Sequence, residues 1–228
     1  SRFIGSVDEC FENHERIAEV YQIEVENGKP FSGISGKMLT ELRKRNWKGV
    51  EGFTILAKPF NREYQVIQED GKILPYQLTM MEADTLYNKF FTPTFLAGSW
   101  KQASQTRNAI LLTRHTAIKM FRDIHQAIGQ QIVLPQKQFA EGSVTYTVQG
   151  VIEDLPENTS MNFMRTVDML TINDEDGYES LPSTDILFHH IYAFLAEGYT
   201  TDDLKETFQT ADYRIKSFGE NHPVLAKP

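Results

Sequence analysis

The chain has 228 residues, of which 40% are hydrophobic, 24% charged and 11% aromatic, a globular mixture that excludes a disordered, collagen-like or membrane-spanning protein and allows one large domain or two small ones. With 23 bases against 31 acids the formal charge is −8, which speaks against a nucleic-acid partner. The single cysteine, Cys10, excludes an intrachain disulfide and a four-thiolate zinc site.

In chain order, Arg16–Val25 alternates Tyr21, Ile23 and Val25 with Gln22 and Glu24, the period of a half-buried strand, and Asn27-Gly28 then turns the chain. Lys37–Arg45 places Met38, Leu39 and Leu42 at helical spacing, with Arg43, Lys44 and Arg45 in the last turn where they complement the helix dipole. Gly52–Ala57 and Tyr64–Gln68 read as strands, and Asp70-Gly71 turns the second into Ile73–Thr79. From Met80 to Trp100 the pattern predicts a short helical stretch, then a packed aromatic segment with Phe90, Phe91, Phe95 and Trp100.

Asn108–Leu112 predicts a short buried strand, after which Thr113 caps a helix with Ala117, Ile118 and Phe121 on one face. Gly129 ends the next turn. Gln131–Leu134 and Ser143–Glu153 are predicted strands, the second alternating Val144, Tyr146, Val148, Gly150 and Ile152 with Thr145, Thr147, Gln149 and Val151. Phe163–Ile172 reads as a strand, Asn173–Thr184 as an acidic loop and Ile186–Leu195 as an apolar central strand. In the last predicted helix Thr200 is the cap, Asp202 and Asp203 occupy the first turn, and Leu204, Phe208, Ala211, Ile215 and Phe218 form a buried stripe before Gly219.

Charge is uneven along the chain. Residues 141–228 carry 16 acids and 5 bases, whereas residues 1–140 carry 15 acids and 18 bases, which suggests two surfaces with different surroundings. No apolar run reaches the roughly 20 residues that span a bilayer, and no signal-peptide pattern is present. The chain opens at Ser1 directly into folded-type sequence, so it is expected to be a segment of a longer protein.

Motifs that carry chemistry fail on spacing. Gly33-Ile-Ser-Gly36-Lys37-Met38 lacks both the four residues between the glycines and the Ser or Thr after Lys that a phosphate loop requires, so it reads as a turn. Adjacent His189 and His190 on a strand face opposite ways and lack Cys, Asp or Glu at ligand spacing, so they read as packed histidines. The remaining histidines, His14, His115, His125 and His222, are scattered outside any HExxH pattern. Around Asn173–Gly177 a calcium loop would need ligands at Ile172 and Ser183, which cannot serve. Cys10 and His14 lack a third partner, and the basic Lys37–Lys48 stretch around Trp47 reads as a solvated helix end. No catalytic, cofactor-binding or metal-ligating residue is assigned.

Four blocks between Phe90 and Phe163 occur in one order: FFTPTFLAGSW, NAILLTRHTAIKMF, IGQQIVL and YTVQGVIEDLPENTSMNF. This run resembles the periplasmic core domain of MacB-like and FtsX-like ABC transporter permeases, with Phe91, Gly98, Leu112, Thr113, Ala117, Phe121, Gly129, Val148, Gly150, Val151 and Ser160 as the matching residues. ENHERIAEVYQI resembles the segment leaving the first membrane helix of these permeases, and GYTTDDLKETF their last helix. The usual DPIG-like turn reads Gln126-Ala127-Ile128-Gly129 here, and the membrane helices and nucleotide-binding domain are absent from the chain. The matching residues are turn and packing positions, which mark a fold and assign no chemistry.

The resemblance implies an α+β extracytoplasmic domain of two lobes. A β-α-β type membrane-proximal lobe would be built from both chain ends, residues 1–84 and 157–228, and a mixed α/β lobe, residues 85–156, inserted between them. It implies a periplasmic domain of a bacterial inner-membrane permease that passes motion from a cytoplasmic ABC ATPase to export or to a periplasmic protein, with a second permease copy as a further partner, no cofactor and no enzymatic activity. Two other classes stay open: an extracytoplasmic ligand-binding sensor, which needs a deep pocket with convergent polar groups, and a hydrolase with a site assembled from distant residues.

Overall fold

Residues 10–23, 27–31, 33–35, 41–135, 142–155, 159, 161–173, 186–210 and 213–217 are described in the computed structural model. Their strands are β1 (Ile17–Ile23), β2 (Pro30–Phe31), β3 (Gly33–Ser35), β4 (Val50–Ala57), β5 (Phe60–Ile67), β6 (Ile73–Asp84), β7 (Phe95–Gly98), β8 (Ala109–Thr113), β9 (Gln131–Leu134), β10 (Val144–Ile152), β11 (Met169–Asn173), β12 (Ile186–Leu195) and β13 (Arg214–Ser217). Helices are α1 (Tyr87–Phe91), α2 (Trp100–Ser104), α3 (Arg114–Phe121), α4 (Ile124–Ala127) and α5 (Thr201–Thr210), with a further helical turn at 41–44. This is the expected α+β class.

The strands hydrogen-bond in the order β11-β8-β10-β9-β5-β6-β4-β12-β1-β13, and β11 also pairs with β6. That extra pairing closes β6, β11, β8, β10, β9 and β5 into a ring. The remaining strands of that path, β4, β12, β1 and β13, form an open sheet joined to the ring where β4 meets β6. Within the open sheet Glu19 of β1 stands opposite Tyr192 of β12 and Lys216 of β13.

Apolar side chains gather in three clusters that follow this layout. Tyr64, Val66, Leu78, Ile110, Ile132 and Val148 lie on ring strands, packed with Ala117 of α3 and Ala127 of α4. On one face of the open sheet, Val20, Ile55 and Ile191 pack with Leu42, Trp47 and the α5 residues Leu204 and Phe208, and Trp47 stacks on Phe208 at 4.6 Å. The third cluster bridges both halves, combining Ile17, Leu56, Tyr192 and Phe194 with Leu111, Ile152 and Leu170 around the α1 aromatics Tyr87, Phe90 and Phe91.

Most predicted strands are present, and β12 has the predicted bounds, Ile186–Leu195. Several elements differ. β6 continues to Asp84 where a helical stretch was expected from Met80, because Leu78–Met81 and Ala83 are buried between partners on both edges, and that burial overrides the helix propensity of Met, Glu and Ala. Phe95–Gly98, expected as irregular, is an added strand on β10. Of the predicted strand Phe163–Ile172, residues Asn162–Thr166 form a 3-10 turn and only Met169 onward is extended. The last helix stops at Thr210, the Tyr213 amide donates to the Phe208 carbonyl at 2.9 Å, and Ile215 lies in β13. On α3, Ala117 is buried and Phe121 partly buried, whereas Ile118 is 46% exposed and so leaves the expected face. β1 is buried on both faces, Ile17 entering one cluster and Ala18 and Val20 another. The start of the Lys37 helix, most of the acidic loop, Ala211, Phe218 and Gly219 lie outside the described residues.

Candidate functional site

The ring and the open sheet meet at a buried carboxylate. Asp84 ends β6, and its 0% exposed side chain accepts hydrogen bonds from Thr54 Oγ1 at 2.7 Å, the Ile55 amide at 3.1 Å, the Leu86 amide at 3.1 Å and Arg43 Nη2 at 2.6 Å. Asp suits this place because its short side chain can bond the amide two residues ahead, turning the chain out of the strand toward α1. The bond from Ile55 is unusual in kind. β4 and β6 share the ladder position Leu56↔Ala83, and one residue along a carboxylate oxygen receives the β4 amide. Burial pushes the Asp84 carboxyl up from its usual range, opposed by the Thr54 hydrogen bond, the Arg43 charge and the Leu86 and Ile55 amides. Four donors, one of them a guanidinium, fit a carboxylate acceptor, and a protonated carboxyl would have to give up part of that set.

An open cleft of about 740 Å³ lies between the start of α3, Asp154–Leu155 and Met164–Asp168. Its acids bind the fold itself. Asp168 accepts from the Thr79 amide at 2.8 Å and from Thr116 Oγ1 at 3.0 Å, and its carbonyl accepts from the Thr113 amide at 3.0 Å. Asp154 accepts from the His115 amide at 2.9 Å, so the first turn of α3 is capped by a distant carboxylate and Thr113 makes no side-chain cap.

The sequence candidates separate in space. The His190 ring stacks on Phe163 with centroids 4.0 Å apart and planes 5° from parallel, and burial lowers its pKa, as suits a packed neutral imidazole. His189 is on β12 opposite Ala57. His14 Nδ1 bonds the Phe11 carbonyl at 2.9 Å, and Cys10 is exposed. Gly33–Ser35 is a strand on β12 and not a turn, while Gly36 and Lys37 lie outside the described residues. The basic segment divides, Arg43 binding Asp84 and Arg45 lying over the Trp47 ring at 5.1 Å. Among the described residues no group of three or more His, Cys, Asp or Glu stands close enough to hold a metal. Reading the sequence missed the Asp84 junction. Its one local signal is an acid two residues after Glu82, closing the mostly apolar segment Leu78–Ala83.

No family model and no curated protein matches the chain. Solved structures do. A permease-protein domain from Porphyromonas gingivalis aligns with a TM-score of 0.68 at 23% identity over 94% of this chain and 96% of that one. The periplasmic region of MacB from Actinobacillus actinomycetemcomitans aligns with a TM-score of 0.57 at 10% identity, covering 90% of this chain and 89% of that one. The fold is that of the MacB periplasmic region. The extracellular domain of the noncanonic ABC-type transporter YknZ from Gram-positive bacteria is also similar, with a TM-score of 0.50 at 12% identity over 88% and 99% of the two chains. At about nine-tenths of this chain, the likeness extends well beyond the four matching sequence blocks between Phe90 and Phe163.

Proposed function

We propose that the chain is the extracytoplasmic domain of a bacterial ABC transporter permease, placed in the periplasm and joined through flanking membrane helices to an ATPase on the cytoplasmic side. The observation that carries this reading is the end-to-end likeness to permease and MacB domains, about nine-tenths of each chain in both pairs. Its role is to pass ATP-driven motion of those helices to a substrate or a periplasmic protein, beside a second permease copy. Residues 1–84 and 157–228 form the membrane-proximal lobe and residues 85–156 the inserted one, with the β5–β6 hairpin and β11 lent across to pair with β9 and β8. The pairing of β1 with both β12 and β13 supports a proximal lobe made from both chain ends. The polar groups that bind the fold around the cleft suit a mechanical domain better than a ligand sensor.

The test is made in the native permease. A membrane-impermeant maleimide applied to intact cells should label the exposed Cys10, and protection of Cys10 until lysis would refute the placement. Distances between spin labels on the two lobes should change when the ATPase is trapped with nucleotide. Unchanged distances would refute the transmission role.

A further inference from the structure

Among the described residues one line of strand pairing joins the ring to the open sheet, beside the apolar cluster that bridges both halves. β4 and β5 run consecutively along the same edge of β6, separated by Lys58-Pro59. Across that separation the register slips. Between the pairs Phe60↔Met80 and Leu56↔Ala83 lie three residues on the β4–β5 side, Ala57, Lys58 and Pro59, against two on β6, Met81 and Glu82. One extra residue opposite a continuous strand is a bulge, which bends its strand, and Pro59 has no amide to return to the ladder. The outer partner changes at the same point, since β4 pairs outward with β12 and β5 with β9. Beyond the bulge, the β4–β6 ladder is reduced to Leu56↔Ala83 and the Asp84 carboxylate, which Arg43 holds from the helical turn at 41–44.

We propose that the Lys58-Pro59 bulge is the hinge between the two halves of the domain, and that Asp84, held by Thr54, Ile55 and Arg43, is the latch that fixes their angle. A break in one strand beside a continuous partner lets two sheets tilt while β6 keeps them joined, the few-residue geometry of hinge motions. The carboxylate is suited to a latch because side-chain bonds re-form over a range of approach that a rigid ladder does not allow. Arg43 belongs to the segment that packs Leu42 and Trp47 against α5, so movement of that face reaches Asp84 directly. The inference rests on the transmission reading above.

The experiment uses the 228-residue chain with Cys10→Ser. Glu206→Cys on α5 and Lys119→Cys on α3, both exposed, carry spin labels across the hinge, while Lys119→Cys with Lys72→Cys stays within the ring. Asp84→Asn and, as a milder variant, Arg43→Gln should broaden or split the cross-hinge distance distribution and leave the ring pair as in the parent. A cross-hinge distribution unchanged in both folded variants would overturn the latch. Equal broadening of the ring pair would overturn it too, as general loosening. The readout is a distance within this chain, so it stands even if the cell-labelling experiment rejects the periplasmic placement.

Discussion

Gly98 and Gly150 stand opposite each other where β7 joins the edge of β10, and neither has room for a methyl group. Gly98 has φ +73°, and a Cβ there would run into the Gln149 carbonyl oxygen and lie 2.8 Å from Gly150 Cα. A Cβ on Gly150 would lie 2.8 Å from both Leu111 Cδ2 and Phe95 Cε1. Side chains can give where a backbone cannot. Gly98→Ala should therefore cost more than Gly150→Ala, with both in or above the overpacking range of about 1–3 kcal/mol. Thermal melting checks this, and a Gly98→Ala protein that melts with the parent would contradict the close approach.

Phe90 and Phe121 offer a graded test of the packing. Phe90 is fully buried against Phe194, with ring centroids 5.2 Å apart, while Phe121 is only partly buried at the end of α3. Phe90→Ala should cost about 3–5 kcal/mol, the range for large-to-small core changes, and Phe121→Ala clearly less. Ile118→Lys, on the exposed face of α3, should stay within about 0.5 kcal/mol of the parent. Urea midpoints at constant slope give the ranking, and a Phe121→Ala loss equal to that of Phe90→Ala would reverse it.

The extent to which this fold can be read from sequence follows from what each residue borders. β10 alternates one buried face with a wetter one, and β12 is a continuous apolar run, so both are visible as periodicity. The end of β6 is not, because Met80 enters the ring cluster while Met81 and Ala83 enter the cluster that bridges both halves, and burial on both faces erases the alternation that would mark a strand. Ile215 fits the helical stripe of α5 by spacing and yet belongs to β13, since pairing with β1 outweighs continuing the helix. The Asp84 junction needs residues 43, 54, 55 and 86 at once. No local window contains them.

His190 gives the domain a pH dependence with a definite sign. Burial is the main cause lowering its pKa from 6.5, with Glu19 opposing and Lys216 adding to the effect. The unfolded chain therefore binds a proton at a pH where the folded one does not, so this contribution to stability is complete above the usual histidine range and is lost as pH falls below it. His190→Phe should keep the stack on Phe163 and remove that loss. Melting temperatures from about pH 7.5 to about pH 5.5, which bracket the ordinary histidine pKa, should fall less in His190→Phe than in the parent. Parallel curves would show that His190 is not the group responsible.

Arg43 and Asp84 should be coupled beyond the sum of their separate losses. Removing the guanidinium leaves a carboxylate at 0% exposure with neutral donors only, and breaking a buried pair from one side costs about 3–5 kcal/mol. Because Arg43 keeps 16% of its side chain in solvent, Arg43→Met is expected near the lower end. In an Asp84→Asn background the same change should cost less, since no buried charge is left behind, giving a coupling energy of about 0.5–3 kcal/mol in a double-mutant cycle. pH supplies a second sign. Without Arg43 the folded carboxyl takes up a proton more readily than the unfolded one, so the deficit of Arg43→Met should shrink as pH falls toward the carboxylate range. Urea unfolding of the four proteins at neutral and mildly acidic pH measures both effects, and additive losses that do not change with pH would mean that the two side chains touch without holding each other.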